Sequence, residues 1–127
     1  MLDKCPMTAP AARGDVVEIR APKGARVFEV VWEHGEIARL PHALLRGFCP
    51  CAHCQGHAGP IRWTEGTEAL PAEALELTDV SEVGNYAVLL TWGDGHNTGI
   101  YSFPYLARLS AIAAAPLATW RKLTFTK

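Results

Sequence analysis

The chain has 127 residues, 49% hydrophobic and 20% charged, the balance of one globular domain with a single core. Twelve Lys and Arg against thirteen Asp and Glu leave a formal charge of −1 with no basic run, which excludes a nucleic-acid footprint. No apolar run reaches membrane-spanning length and the start has no signal-peptide core, so the expected location is cytoplasmic, where thiols stay reduced.

Residues 1–14 contain Pro6 and Pro10, show no periodicity and read as a flexible arm, with Cys5 a bystander thiol. Asp15–Arg20 reads as a strand, Ala21–Gly24 as a turn, and Arg26–Glu33 as a second strand rich in β-branched and aromatic residues. His34-Gly35 reverses the chain into Glu36–Leu40, completing an antiparallel meander. Pro41–Arg46 reads as one or two helical turns, begun by a proline whose missing N–H costs little there and ended by Gly47.

The chemistry begins at Cys49-Pro50-Cys51-Ala52-His53-Cys54, where three of the four cysteines follow C-x-C-x-x-C. Packing alone needs no such crowding. Thiolates this close can occupy three corners of a tetrahedron around one soft divalent ion, zinc above all. A disulfide would leave one of the three thiols unpaired. A thioredoxin-like C-x-x-C would follow a strand and open a helix, a context this stretch lacks.

Residues 55–73 read as the longest irregular segment, one that a metal can staple. Order resumes near Ala74 with an edge-like strand marked by Leu75, Leu77, Val80 and Val83. After a Gly84-Asn85 turn, Tyr86–Trp92 is nearly all apolar and reads as a central strand covered on both faces. Gly93-Asp94-Gly95 turns it back into a strand at His96–Tyr101. Ser102 caps a helix with Pro104 in its first turn and Tyr105, Leu106, Leu109, Ile112 and Ala113 on one face. Pro116 stops it. The expected fold is therefore α+β: a small antiparallel β-sheet domain over 15–115, with one main C-terminal helix and a metal-stapled loop. A tail, 116–127, places Trp120 and Phe125 either on the core or in an interface.

Three thiolates and one neutral imidazole form a structural zinc shell. His53 lies inside the C-x-x-C turn, where its ring should point away. His57 could close the site locally, and His96 could reach it from the Gly93-Asp94-Gly95 turn. Spacing leaves these two even. Asp94 would hold a ligating His96 by accepting its second ring N–H.

The runs Leu45–Cys54, Val83–Ala87 and Trp92–Phe103, with Tyr105-Leu106, resemble the gamma-butyrobetaine hydroxylase-like N-terminal domain family over roughly residues 15–110. The Trp92-Gly93-Asp94-Gly95-His96 and Gly99-Ile100-Tyr101-Ser102 pieces are the most specific. The resemblance implies zinc held by Cys49, Cys51, Cys54 and His96. It does not extend to the iron- and 2-oxoglutarate-dependent domain of the hydroxylase, so no catalysis is expected. This domain type also occurs fused to iron–sulfur cluster carriers, which implies a helper role near that pathway.

The leading expectation is a non-catalytic structural-zinc module that binds a protein partner, with no nucleic acid, no membrane, and a homodimer as an open alternative. A zinc deaminase is one alternative, because His34-Gly35-Glu36 and Pro50-Cys51-Ala52-His53-Cys54 fit H-x-E…P-C-x-x-C. That reading leaves Cys49 without a role and puts the glutamate in a hairpin turn. Iron–sulfur binding by the same Cys and His residues is the other.

Overall fold

The structure is a computed structural model and describes residues 16–21, 26–55 and 59–125. The arm at 1–14, Cys5 and His57 lie outside the described residues.

Strand β2 (Val27–Trp32) alternates, burying Phe28, Val30 and Trp32 while Val27, Glu29 and Val31 are part-exposed. That period of two gives one dry face, and β2 becomes the middle of an antiparallel sheet with β1 (Val16–Arg20) and β3 (Ile37–Pro41). The reversal between β2 and β3 runs through Gly35 at φ +100°, a conformation open to glycine. A register shift between Val16 and Glu18 bulges β1, which nothing in the sequence marks.

A second antiparallel sheet joins β5 (Leu77–Val83), β6 (Ala87–Trp92) and β7 (Gly99–Ser102), with β6 in the centre. Two expectations change here. Tyr86 stands outside the strand and is 56% exposed. On β6, Val88, Leu90 and Trp92 are buried but Leu89 and Thr91 are only half-buried, so one face alone is fully covered. In addition, β7 starts at Gly99 rather than His96. A paired strand would fix the ring of His96 perpendicular to the sheet, and the irregular stretch 96–98 frees it from that direction.

Helix α1 (His42–Gly47) follows β3 directly, with Pro41 at its N-cap. Short α2 (Ala52–Gln55) comes next. The segment read as irregular contains more order than expected: strand β4 (Ile61–Arg62) and 3-10 turns at Thr67–Ala69 and Ala72–Leu75. Helix α3 (Phe103–Ser110) is capped by Ser102, whose Oγ accepts from the Tyr105 N–H at 3.2 Å. It stops at Ser110, so Ile112 and Ala113 belong to the following turns, where they still pack against the core.

Residues 117–125 dock. After α4 (Leu117–Trp120), strand β8 (Thr124–Phe125) pairs antiparallel with β4. Trp120 lies 5.5 Å from Trp63, and Phe125 meets Phe48 edge-on at 5.2 Å. One hydrophobic cluster joins Phe28, Leu40 and Leu44 from the first half to Leu90, Leu106 and Leu109 from the second. Each such side chain contributes about 1.5–3 kcal/mol on full burial. Among the described residues no helix is long and apolar enough to cross a membrane.

Candidate metal centre

Helix α1 delivers the chain to the first thiol. Phe48 N–H donates to the Leu44 carbonyl at 3.1 Å and Cys49 N–H to the Arg46 carbonyl at 3.3 Å, so the helix winds into the loop without a break in bonding. Two tyrosines then clamp the approach. The Tyr101 hydroxyl donates to the Leu45 carbonyl, and the Tyr105 hydroxyl to the Phe48 carbonyl, each at 2.6 Å. Burial drives both phenols well above their ordinary pKa, which keeps them protonated as donors.

Cys51 stands just before α2 and Cys54 within it. The N–H groups of Cys54 and Gln55 both donate to the Cys51 carbonyl, at 3.2 and 3.0 Å. One helical turn therefore brings the two thiols to the same side. Gln55 closes the loop: its Nε2 donates to the carbonyls of Cys49 and Arg62, both at 2.9 Å, and its Oε1 accepts from the Arg62 N–H at 3.1 Å.

His96 arrives from the β6–β7 turn. Gly95 adopts φ +93°, and Trp92 N–H donates to the His96 carbonyl at 2.9 Å. The His96 Nε2 atom lies 3.3 Å from Cys49 Sγ, 3.7 Å from Cys51 Sγ and 3.6 Å from Cys54 Sγ. All four ligand atoms fall within 4.8 Å of one another, and the group could hold a metal ion.

Those distances suit an ion better than hydrogen bonds. A tetrahedral zinc with Zn–S about 2.3 Å and Zn–N about 2.0 Å separates sulfur from nitrogen by about 3.6 Å. A single ring nitrogen carries at most one proton, so it cannot serve three sulfurs equally. Glycine permits the approach: a Cβ on Gly99 would sit 2.7 Å from Cys49 Sγ.

The centre is asymmetric. Cys49 is fully buried and Cys51 nearly so, whereas Cys54 and His96 are half-buried. Cys54 also lines two open clefts, one of about 570 Å³ shared with His96 and Thr67, and one of about 480 Å³ shared with Arg62 and Arg121. The hydrogen bond to Cys54, then burial, pushes the Cys49 thiol far above its usual range. The same bond, as the largest cause, lowers Cys54. A cation bound among these sulfurs would favour the deprotonated thiolates that ligation needs.

The structure thus gathers Cys49, Cys51, Cys54 and His96. His53 lies in α2, and His34 does not join the group. Its Nε2 is 3.0 Å from Glu36 Oε1 at the exposed β2–β3 turn. Asp94 does meet His96: its Oδ1 accepts from the main-chain N–H of His96, at 3.1 Å. Sequence reasoning missed the supports, namely Tyr101, Tyr105, Gln55 and Gly99. The tyrosines carry a faint signal, since the four-residue step across the β7–α3 junction turns both toward one loop. Gln55 carries none.

Comparison with known proteins places these features in a family. No curated protein matches the chain. The crystal structure of a protein of unknown function in the DUF971 family from Acidithiobacillus ferrooxidans is 39% identical, with a TM-score of 0.60 over 78% of this chain and 96% of its own. A solution structure determined by NMR is 26% identical, with a TM-score of 0.64 over 90% of this chain and 82% of that one. A second NMR structure, 24% identical with a TM-score of 0.62 over 85% of this chain and 82% of its own, shares the fold. The family described as gamma-butyrobetaine hydroxylase-like, N-terminal, matches residues 19–107, a span that holds α1, the thiol loop and His96, and the chain belongs to it.

Proposed function

We propose that this domain is a non-catalytic, zinc-stapled module that docks on a protein partner. The observation that supports it is the convergence of three Sγ atoms on one Nε2 at 3.3–3.7 Å. Cys49, Cys51 and Cys54 as thiolates, with His96 as neutral imidazole, would hold the ion and complete a tetrahedral shell. Such a shell leaves no position for an activated water, so the ion supplies a cross-link between the thiol loop and the β6–β7 turn. Soft sulfur donors in tetrahedral array favour zinc. A cytoplasmic setting would keep the thiols reduced.

The partner reading is supported by a cleft of about 400 Å³ where Val16, Val17, Ile19, Val80 and Phe103 lie beside the polar side chains of Glu18, Glu82 and Asn85. It involves β1 and β5, each an edge strand of its sheet, and Val17 is 60% exposed. A photo-crosslinker at Val17 should trap a protein in cells, and recovery of uncrosslinked chain alone would count against docking there.

Elemental analysis of the purified protein tests the metal reading. One colourless zinc per chain is expected, with Cys49, Cys51 and Cys54 protected from alkylation. Iron with acid-labile sulfide and a visible absorbance band would instead establish a cluster. Full alkylation with no bound metal would overturn both.

A further inference from the structure

We propose that Arg46 and Asp94 form a positioning pair that sets His96 for metal ligation, an inference that rests on the four-ligand reading above. Arg46 belongs to α1, three residues before Cys49, on the element that carries the thiol loop. Asp94 belongs to the β6–β7 turn that carries His96. The two are joined by a fork. Arg46 Nη1 donates to Asp94 Oδ1 at 3.1 Å and Nη2 donates to Oδ2 at 3.0 Å. The same Oδ1 accepts from the His96 main-chain N–H at 3.1 Å. A continuous path therefore runs from the thiol-bearing helix, through guanidinium and carboxylate, into the backbone of the imidazole ligand. It is separate from the direct meeting of sulfur and ring.

The fork is itself held. Arg46 Nη1 also donates to the Ala74 carbonyl at 2.8 Å, and the guanidinium carbon lies 5.9 Å from the centre of the Trp92 ring. The Arg46 side chain is only 11% exposed, so its charge is weakly screened. Lysine could not replace it, because a point charge cannot hold both carboxylate oxygens and a carbonyl in one plane.

The need for such a pair follows from the turn. Gly93-Asp94-Gly95 puts glycines on both sides of Asp94, and unrestrained glycine explores a wide backbone range. A histidine on a loose turn must be ordered at the moment it binds metal, which weakens affinity. Backbone bonds close the turn itself, Trp92 N–H to the His96 carbonyl and Gly95 N–H to the Trp92 carbonyl, each at 2.9 Å, and fixing Asp94 to α1 sets that closed turn against the thiol loop, so that mainly the His96 ring torsions remain. Outer partners of metal ligands act in this manner, and losing one typically costs about 10- to 100-fold in affinity.

The test is a zinc competition titration on the full chain, with the melting temperature of each metal-free form as the second readout. Asp94→Ala and Arg46→Met should each weaken zinc about 10- to 100-fold. The double variant should be no weaker than either single, because both break one path. Asp94→Asn should recover part of the loss by still accepting the His96 N–H. Should Arg46→Met fail to fold, Asp94→Ala decides alone, since Asp94 lies on an exposed turn. Asp94→Ala binding within about threefold of wild type, beside a clearly weakened His96→Ala, overturns the positioning role. A merely structural pair would lower the metal-free melting temperature and leave affinity untouched, which overturns it equally. If His96→Ala itself binds as tightly as wild type, the four-ligand reading fails, and this proposal with it.

Discussion

Gly99 and the two tyrosines decide how close the chain can bring its thiol loop to the second sheet. At Gly99 an added methyl would lie 2.7 Å from Cys49 Sγ and 3.0 Å from the Tyr101 ring, and both of those side chains are fully buried. Gly99→Ala should cost about 1–3 kcal/mol and weaken metal binding at the same time, as measured by denaturant titration with and without chelator. Tyr101→Phe leaves the buried Leu45 carbonyl without its donor and should cost about 1–3 kcal/mol, measured the same way. His42 offers a pH signature. Its ring is buried edge-on against Trp92, and neither nitrogen makes a hydrogen bond of normal geometry. Burial, first of all, lowers its pKa, with the Leu75 main chain pulling weakly the other way. The unfolded chain therefore takes up the proton first. Stability should be full above the ordinary histidine pKa of about 6.5 and should fall as the pH drops below it. Urea titrations at several pH values should show a shallower slope for His42→Leu, and identical slopes would contradict this account. At this scale the cysteines were legible because their spacing has few other uses. The tight approach at Gly99 was not, since a glycine inside the expected strand His96–Tyr101 carries no sign of what lies against it.

At the scale of elements, the strands were legible wherever one face is buried. Alternation in β2 and the apolar run of β6 follow from packing that the residues themselves express. The β4–β8 ribbon was not, because two-residue strands have no period and their register comes from Phe125 packing on Phe48. The late start of β7 escaped for the converse reason. His96-Asn97-Thr98 has strand-like neighbours, yet the backbone leaves the ladder and places an imidazole among thiols. The candidate ligands were half legible. Residue spacing left His57 and His96 even, family resemblance favoured His96, and the structure brings His96 to the sulfurs. Removing metal should act element by element. Amide exchange should accelerate across residues 47–66 while β2 and β6 stay protected. Equal acceleration everywhere would mean that the ion supports the whole fold rather than the loop.

For the whole molecule, the C-terminal segment matters more than its length suggests. Trp120 is 9% exposed, packs on Trp63, and donates from Nε1 to the Ile112 carbonyl at 2.8 Å. Phe125 reaches both Phe48 and Tyr105, the residues that lead to and clamp the first thiol. Trp120→Ala should cost about 3–5 kcal/mol, seen as a lower denaturant midpoint. Two sheets, one helix and a docked tail thus converge on a loop that they cannot close by hydrophobic contact, because its lining is sulfur and imidazole. The direct measurement is a zinc K-edge absorption spectrum of the purified protein. Three sulfurs at about 2.3 Å and one nitrogen at about 2.0 Å are expected in the first shell. A shell with an oxygen in place of any of the four, or protein that carries no zinc, would contradict the account.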